Sequence, residues 1–195
     1  MNKQLLETYT DYLISSFSYT TATGLSMLVE GEISHDKVTR FLSSEDFTSS
    51  DLWKTIKRKV RDVESEEGVI IVDDTIEEKP STDENEIVSW HYDHSKGRSV
   101  KGINIISALY LSKGIRVPIV FDLVRKTKTV IDEKTNKEKR VSEKTKNEQY
   151  REMLRVCVKN KIKFKYVLND VWYGSSENMM YVKTELRKDF IMPIK

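Results

Sequence analysis

The chain has 195 residues, 38% hydrophobic and 33% charged, with seven glycines and three prolines; this suits one ordinary core plus a small helical extension and excludes collagen-like or proline-rich low complexity. One cysteine, Cys157, excludes an internal disulfide, and no Cys-X-X-Cys pair is present to hold zinc, which fits a reducing cytosol. No apolar run approaches the ~18 residues of a membrane span, and the first residues carry no signal-peptide pattern. The net charge of +2 hides an uneven spread. Asp62 to Asp93 holds twelve acids against one lysine, and Arg125 to Lys165 holds fifteen bases against six acids. Basic stretches attract phosphates, whereas clustered acids repel them unless cations intervene. Both runs also suit solvated loops and helix faces.

Residues 1–62 read as helical. Leu5, Leu6, Tyr9, Tyr12, Leu13 and Phe17 recur at helical spacing. A short helix is expected near Ala22–Val29, stopped by Gly31, and Ser34 reads as the N-cap of another that carries Val38, Phe41 and Leu42. Asp51 reads as the cap of a fourth helix with Leu52, Ile56 and Val60. Leu25–Glu32 and Ser34–Leu42, broken at Gly31, resemble a helix-turn-helix whose second helix would turn His35, Lys37, Thr39 and Arg40 outward, toward a major groove. Any helical hairpin looks similar.

The pattern changes at Gly68. Val69-Ile70-Ile71-Val72 is an unbroken β-branched run suited to a central strand, ending at Asp73-Asp74-Thr75. A polar loop should follow, then a short strand or extended arm over Ile87–Tyr92. Ser99–Leu111 and Val117–Val124 are β-like, joined by a turn at Ser112-Lys113-Gly114. The polar segment Arg125–Lys146 reads as a mobile loop. A helix is expected over Asn147–Asn160 with Tyr150, Leu154, Cys157 and Val158 inward. A strand follows over Phe164–Leu168, then a helix from Ser175 or Ser176 to about Lys188, then a strand from Phe190. Helices followed by β-β-β-α-β-α-β is the order of an RNase H-like α/β core, with residues 1–62 as a helical, DNA-binding candidate and 63–195 as the partial core.

Two aspartates close predicted strands, Asp74 and Asp170. Ligand sites of α/β sheets lie at the carboxyl ends of parallel strands. Converging carboxylates repel, and a shared Mg²⁺ or Mn²⁺ relieves this while leaving room for water and phosphate. Such ions support in-line displacement at phosphorus. Adjacent Asp73 and Asp74 point to opposite faces of a strand, so only one of them should face the metal. Asp is also common as a plain turn or strand-end residue.

These segments carry a family resemblance. Val69-Ile70-Ile71-Val72-Asp73-Asp74-Thr75-Ile76, followed by Glu77-Glu78-Lys79-Pro80, resembles the first catalytic strand of insertion-sequence DNA transposases of the acidic-triad (DDE) type. Lys96-Gly97-Arg98-Ser99-Val100-Lys101-Gly102-Ile103 resembles the approach to their second strand. Tyr166-Val167-Leu168-Asn169-Asp170, continuing through Trp172-Tyr173-Gly174-Ser175 into a helix, resembles their second-aspartate motif. The resemblance implies an RNase H-like fold and metal-dependent cutting and joining of double-stranded DNA at transposon ends and targets. It implies a cytoplasmic, nucleoid-associated bacterial protein that can act as a homo-oligomer. Asp74 matches the first catalytic acid and metal ligand, with Asp73 in reserve, and Asp170 matches the second. The family's third acid, a glutamate, lies on a helix beyond the strand that begins at Phe190. Glu177 and Glu185 are out of place for it, so a truncated core is expected. The alternatives are an inactive DNA-binding remnant or regulator, and a nuclease of the same fold.

Lys79, Lys96, Arg98 and Lys101 flank the expected acidic centre and are candidates to hold DNA phosphates, or are ordinary surface charge. His91 and His94 lack a third ligand at useful spacing, so phosphate contact or surface roles suit them better than metal. Trp172 and Tyr173 can stack on a frayed base or, more simply, pack beneath the site. Cys157 reads as a small core residue. Gly97 and Gly102 form no phosphate loop.

Overall fold

The computed structural model describes residues 3–17, 19–44, 47–133 and 136–194, which fall into two units divided between Phe47 and Thr48. The first unit holds α1 (Lys3–Ser15), α2 (Ala22–Leu28) and α3 (His35–Ser43). Each of the shorter two starts on a hydroxyl cap: Thr21 Oγ1 accepts from Gly24 N at 2.9 Å, and Ser34 Oγ from Lys37 N at 3.3 Å. Between them Glu30 and Gly31 take left-handed backbone, φ 51° and 82°, which reverses the chain after α2. Tyr12, Leu25 and Val38 form the small core of this unit. The helical stripe expected on α1 is only partly buried: Leu5 and Tyr12 are inside, while Leu13 and Phe17 are exposed.

The second unit is mixed α/β. Its first element is α4 (Ser49–Val63), so the last helix of the residues 1–62 region packs with the sheet. Thr48 caps α4, and Asp51 closes the box from the third position, accepting from Thr48 N at 3.1 Å and Thr48 Oγ1 at 2.7 Å. Ser49 Oγ accepts from Phe121 N at 2.8 Å, which ties the start of α4 to the sheet.

That sheet has six strands: β1 (Val69–Glu78), β2 (Val88–Asp93), β3 (Arg98–Ser112), β4 (Ile115–Leu123), β7 (Tyr166–Asn169) and β8 (Asp189–Ile191). β1 lies between antiparallel β3 and parallel β7, and β8 adds in parallel beyond β7. On the far side of β3, β2 pairs with its first half and β4 with its second. The element order is the expected one with β2 and a small hairpin added. β1 runs six residues past Val72, through the stretch expected to be a loop, because fifteen-residue β3 accompanies it to Gly102. A Cβ at Gly102 would stand 2.3 Å from the Glu77 carbonyl oxygen, so only glycine allows this close approach. β3 and β4 join through Lys113 and Gly114, both left-handed (φ 50° and 77°), the backbone of a two-residue hairpin turn. Pro118 sits beside the register shift of edge strand β4, where it breaks no ladder.

The segment expected as a mobile loop contains β5 (Lys128–Ile131) and β6 (Glu138–Val141), an antiparallel pair. Lys134 and Thr135 of that segment lie outside the described residues. The β-branched Thr129, Val130 and Ile131 support pairing that the surrounding charge obscures. α5 (Lys146–Lys159) buries Tyr150, Met153, Leu154 and Cys157 against the sheet, while Val158, expected inward, is largely exposed. α6 (Ser176–Met180) passes into a π-turn over Tyr181–Glu185, shorter than the expected helix to Lys188.

One buried hydroxyl ties three elements together. Tyr110 Oη, on β3, accepts from Ser65 N at 3.0 Å after α4 and donates to Lys163 O at 2.8 Å before β7. Removing it strands both backbone groups inside the protein, at a cost of about 1–3 kcal/mol. Tyr110→Phe should therefore lower the urea midpoint without changing the m-value; an unchanged midpoint would contradict this role.

Candidate active site

β7 stops at Asn169 while β1 continues alongside β3 to Glu78. The sheet loses a strand at that level, and a cleft of about 760 Å³ opens there. Asp73, Asp74, Lys96, Lys126, Lys146 and Asp170 are among the groups lining it. Such a crevice at the carboxyl end of parallel strands is the usual ligand position of α/β sheets.

Strand register decides which carboxylates share a face. β1 and β7 pair Val69 with Tyr166 and Val72 with Asn169. One step further brings Asp73 level with Asp170, and laterally paired residues of neighbouring strands point to the same side. Asp74 follows Ile70 and Val72, which are buried, and so belongs to the opposite, core-facing side. Burial raises the Asp73 carboxyl above the usual carboxylate range, and the negative charges of Asp170 and Asp74 raise it further, against a hydrogen bond from Asp74 N at 2.8 Å. Neither Asp73 nor Asp170 forms an ion pair among the described residues. Asp170 Oδ1 accepts from Trp172 N at 3.0 Å, which fixes the turn after β7.

Asp74 is fully engaged. Lys146 Nζ donates to its Oδ2 at 2.6 Å, and Tyr173 Oη to its Oδ1 at 3.1 Å. Lys146 is the first residue of α5, capped by the Thr145–Glu148 box, so the helix start delivers this cation. Tyr173 is buried, stacked on Tyr150 at 5.3 Å between ring centroids, with its carbonyl held by Asn178 Nδ2 at 2.9 Å. Burial and the Asp74 charge push its hydroxyl far above the usual tyrosine range, so it remains a donor. Tyr150 Oη in turn donates to Asn169 Oδ1 at 3.0 Å. The sequence alone offered packing or base stacking for Tyr173; it packs, and holds a carboxylate as well. Lys146 went unnoticed because nothing in the sequence brings it near residue 74.

The other candidates are dispersed. Lys79 pairs with Glu77 at 3.2 Å, Arg98 with Glu78 at 3.6 Å, and Lys96 with Glu78 and, at 3.8 Å, with Asp93. Lys101 lies mid-strand in β3, opposite Trp90, and of these four only Lys96 lines the cleft. His94 stacks on Trp172 at 3.6 Å, with Tyr92 edge-on at 4.7 Å. His91 is buried, with Nε2 3.0 Å from Ser89 Oγ. Among the described residues no group of three or more His, Cys, Asp or Glu side chains gathers as a metal cage, and no helix is long and apolar enough to cross a membrane.

Burial, then the charges of Lys126 and Lys146, lower His91 to about 4. Its unfolded value is ~6.5. A depressed histidine contributes stability that is fully present above ~6.5 and is lost as pH falls toward the folded value. The loss amounts to roughly 3 kcal/mol by pH 4. His91→Gln should flatten this part of the acid profile, read as urea midpoints from pH 7 down to 4. Parallel profiles for the two proteins would contradict it.

A family model described as DDE superfamily endonuclease matches residues 2–195. Among solved structures, the Drosophila P element transposase strand transfer complex is similar over 92% of this chain and 35% of that chain, with 13% identity and a TM-score of 0.43. This chain thus spans about a third of the length of that transposase chain. No curated protein matches the sequence. With a family match over nearly its whole length, the chain belongs to the DDE superfamily endonucleases.

Proposed function

We propose that Thr48–Lys195 is an RNase H-like nuclease core that cuts DNA at the ends of a mobile element, with Mg²⁺ or Mn²⁺ held by Asp73 and Asp170. The strand arrangement supports the fold: a central β1, an antiparallel meander on one side and two parallel strands on the other. The observation that supports the site is the β1–β7 register, which ends with Val72 beside Asn169, one residue before Asp73 and Asp170. Asp74, the acid that the motif alone favours, becomes a positioning residue in this reading.

The donor set fits a hard divalent ion. Two carboxylates from neighbouring strands face one cleft, and the Asp170 charge disfavours ionisation of Asp73 until a cation is shared. When bound, such an ion lowers the pKa of water and offsets charge on the phosphoryl oxygens. Asp73 and Asp170 would hold it, leaving positions for water and phosphate. Lys146 and Tyr173 hold Asp74 and keep the β1 backbone beside Asp73 fixed. In the cut itself a water oxygen forms the new P–O bond, and the 3′-oxygen leaves and takes a proton. In a complete transposase that hydroxyl then attacks target DNA. A second reading, a DNA-binding remnant or regulator, draws on α3, which exposes His35, Lys37, Thr39 and Arg40 beyond the turn at Gly31.

Nicking of duplex DNA carrying the element's ends, with Mn²⁺, separates these readings. Asp73→Asn and Asp170→Asn should each lose activity about 1,000-fold or more, the several kcal/mol that a metal supplies. Asp74→Asn should lose roughly 10–100-fold, as for a supporting group behind a ligand. A dead Asp74→Asn beside an active Asp73→Asn would return the role to Asp74. Binding without any nicking by the wild type would favour the regulator.

A further inference from the structure

The carboxylate cleft has a neighbour on the other side of Lys126. A second cleft, of about 610 Å³, lies between β2 and the β5–β6 hairpin. His91, Tyr92 and Lys126 line both, so the two clefts adjoin there and offer one path, a channel, from Asp73 and Asp170 along the hairpin. Clefts of ~300–1,000 Å³ take organic ligands rather than bare ions.

The groups along it alternate in kind. Lys126 is half-buried, donates to the Trp90 carbonyl oxygen and has no carboxylate within ion-pair distance among the described residues. Burial, with the nearby charge of Lys139 and of Lys146 and against that of Glu84, holds its ammonium below the usual lysine range. A cation withdrawn from water beside other cations is costly without an anion. Lys139 and Arg140 follow on β6, and among the described residues they have loose partners in Asp132 at 3.6 Å and Glu84 at 3.8 Å. Solvated pairs of this kind are worth little and yield readily to a phosphate. Glu138 is the other acid on this wall. Trp90 and Tyr92, two apart on β2 and therefore on one face, are each 53% exposed. Cations spaced along a channel, with open ring faces between them, match a nucleic-acid strand: phosphates to the cations, bases to the rings. An acidic peptide would account for the cations but would leave the exposed Trp90 and Tyr92 rings without bases to stack on.

We propose that this channel carries one DNA strand away from the reaction centre, with Lys126 holding the phosphate nearest the carboxylates, Lys139 and Arg140 the phosphates beyond, and Trp90 and Tyr92 stacking on unpaired bases. The assignment rests on the DNA-cutting reading above, and adds a surface that the sequence motifs do not touch. The hairpin then serves as the outer wall of the channel, which gives the added β5 and β6 a function.

The test is fluorescence anisotropy with the full chain and a labelled duplex bearing a single-stranded 3′ extension, over a salt series in EDTA. Lys126→Ala combined with Lys139→Ala and Arg140→Ala should weaken binding roughly 10- to 100-fold and reduce the log–log salt slope by about 2–3, one lost phosphate contact per cation. Lys139→Ala with Arg140→Ala, both on the hairpin surface, leaves half-buried Lys126 in place and should show about two thirds of the slope change. Trp90→Ala with Tyr92→Ala should weaken binding to the extended duplex more than to a blunt one. Lys163→Ala with Lys165→Ala, whose partners are Glu66 and Glu67, is the control for general charge loss. Wild-type binding with the hairpin variant unchanged in affinity and slope overturns the channel alone. No DNA binding by the wild type overturns the channel together with the reading beneath it.

Discussion

Strand β1 is pinned on both sides: ten residues pair with antiparallel β3, and its first four with parallel β7. Everything at the site follows from this double register. The side-chain period of a strand is two, so a one-residue slip would exchange Asp73 and Asp74 between faces. Buried Ile70 and Val72 forbid the slip, because it would turn them out of the core. Gly102 fixes the far end of the same pairing by admitting the Glu77 backbone. Hydrophobic burial in β1 thereby sets the faces to which Asp73 and Asp74 belong.

The uneven charge of the sequence resolves along the same lines. Acids from the 62–93 stretch meet bases from the 125–165 stretch: Lys146 on Asp74, Lys163 on Glu66, Lys165 on Glu67, Arg125 on Glu86 and Arg140 on Glu84. Most of these pairs are solvent-exposed and contribute at most about 1 kcal/mol each. Their larger effect is to leave a few groups unmatched. Asp73, Asp170 and Lys126 lack ionic partners among the described residues, and all three line one cleft. Charge that the fold leaves uncompensated is concentrated in that cleft.

Much of this was readable in the chain. Val69–Val72 announced a central strand, the Lys113-Gly114 turn announced the β3–β4 hairpin, and Ser34 announced the start of α3 through its hydroxyl. Asp73 and Asp74 could have been separated by the same alternation, since counting by twos from buried Ile70 reaches Asp74 on the core side. The motif, which weighs residue identity and not face, favours the neighbour. The β5–β6 hairpin was illegible for a different reason: its lysines and glutamates outweigh the four β-branched residues of its strands in any compositional reading. Lys146 and Lys126 belonged to that same polar stretch, and only the return of α5 and β7 to β1 brings them to the aspartates.

The central claim is that Asp73 and Asp170, not Asp74, form the metal-binding face. Manganese titration followed by electron paramagnetic resonance tests it without relying on cleavage. The free six-line Mn²⁺ signal should fall on adding wild-type protein or Asp74→Asn, and should persist with Asp73→Asn or Asp170→Asn. If Asp74→Asn abolishes binding while Asp73→Asn retains it, the register argument fails and Lys146 must give up its carboxylate to the metal.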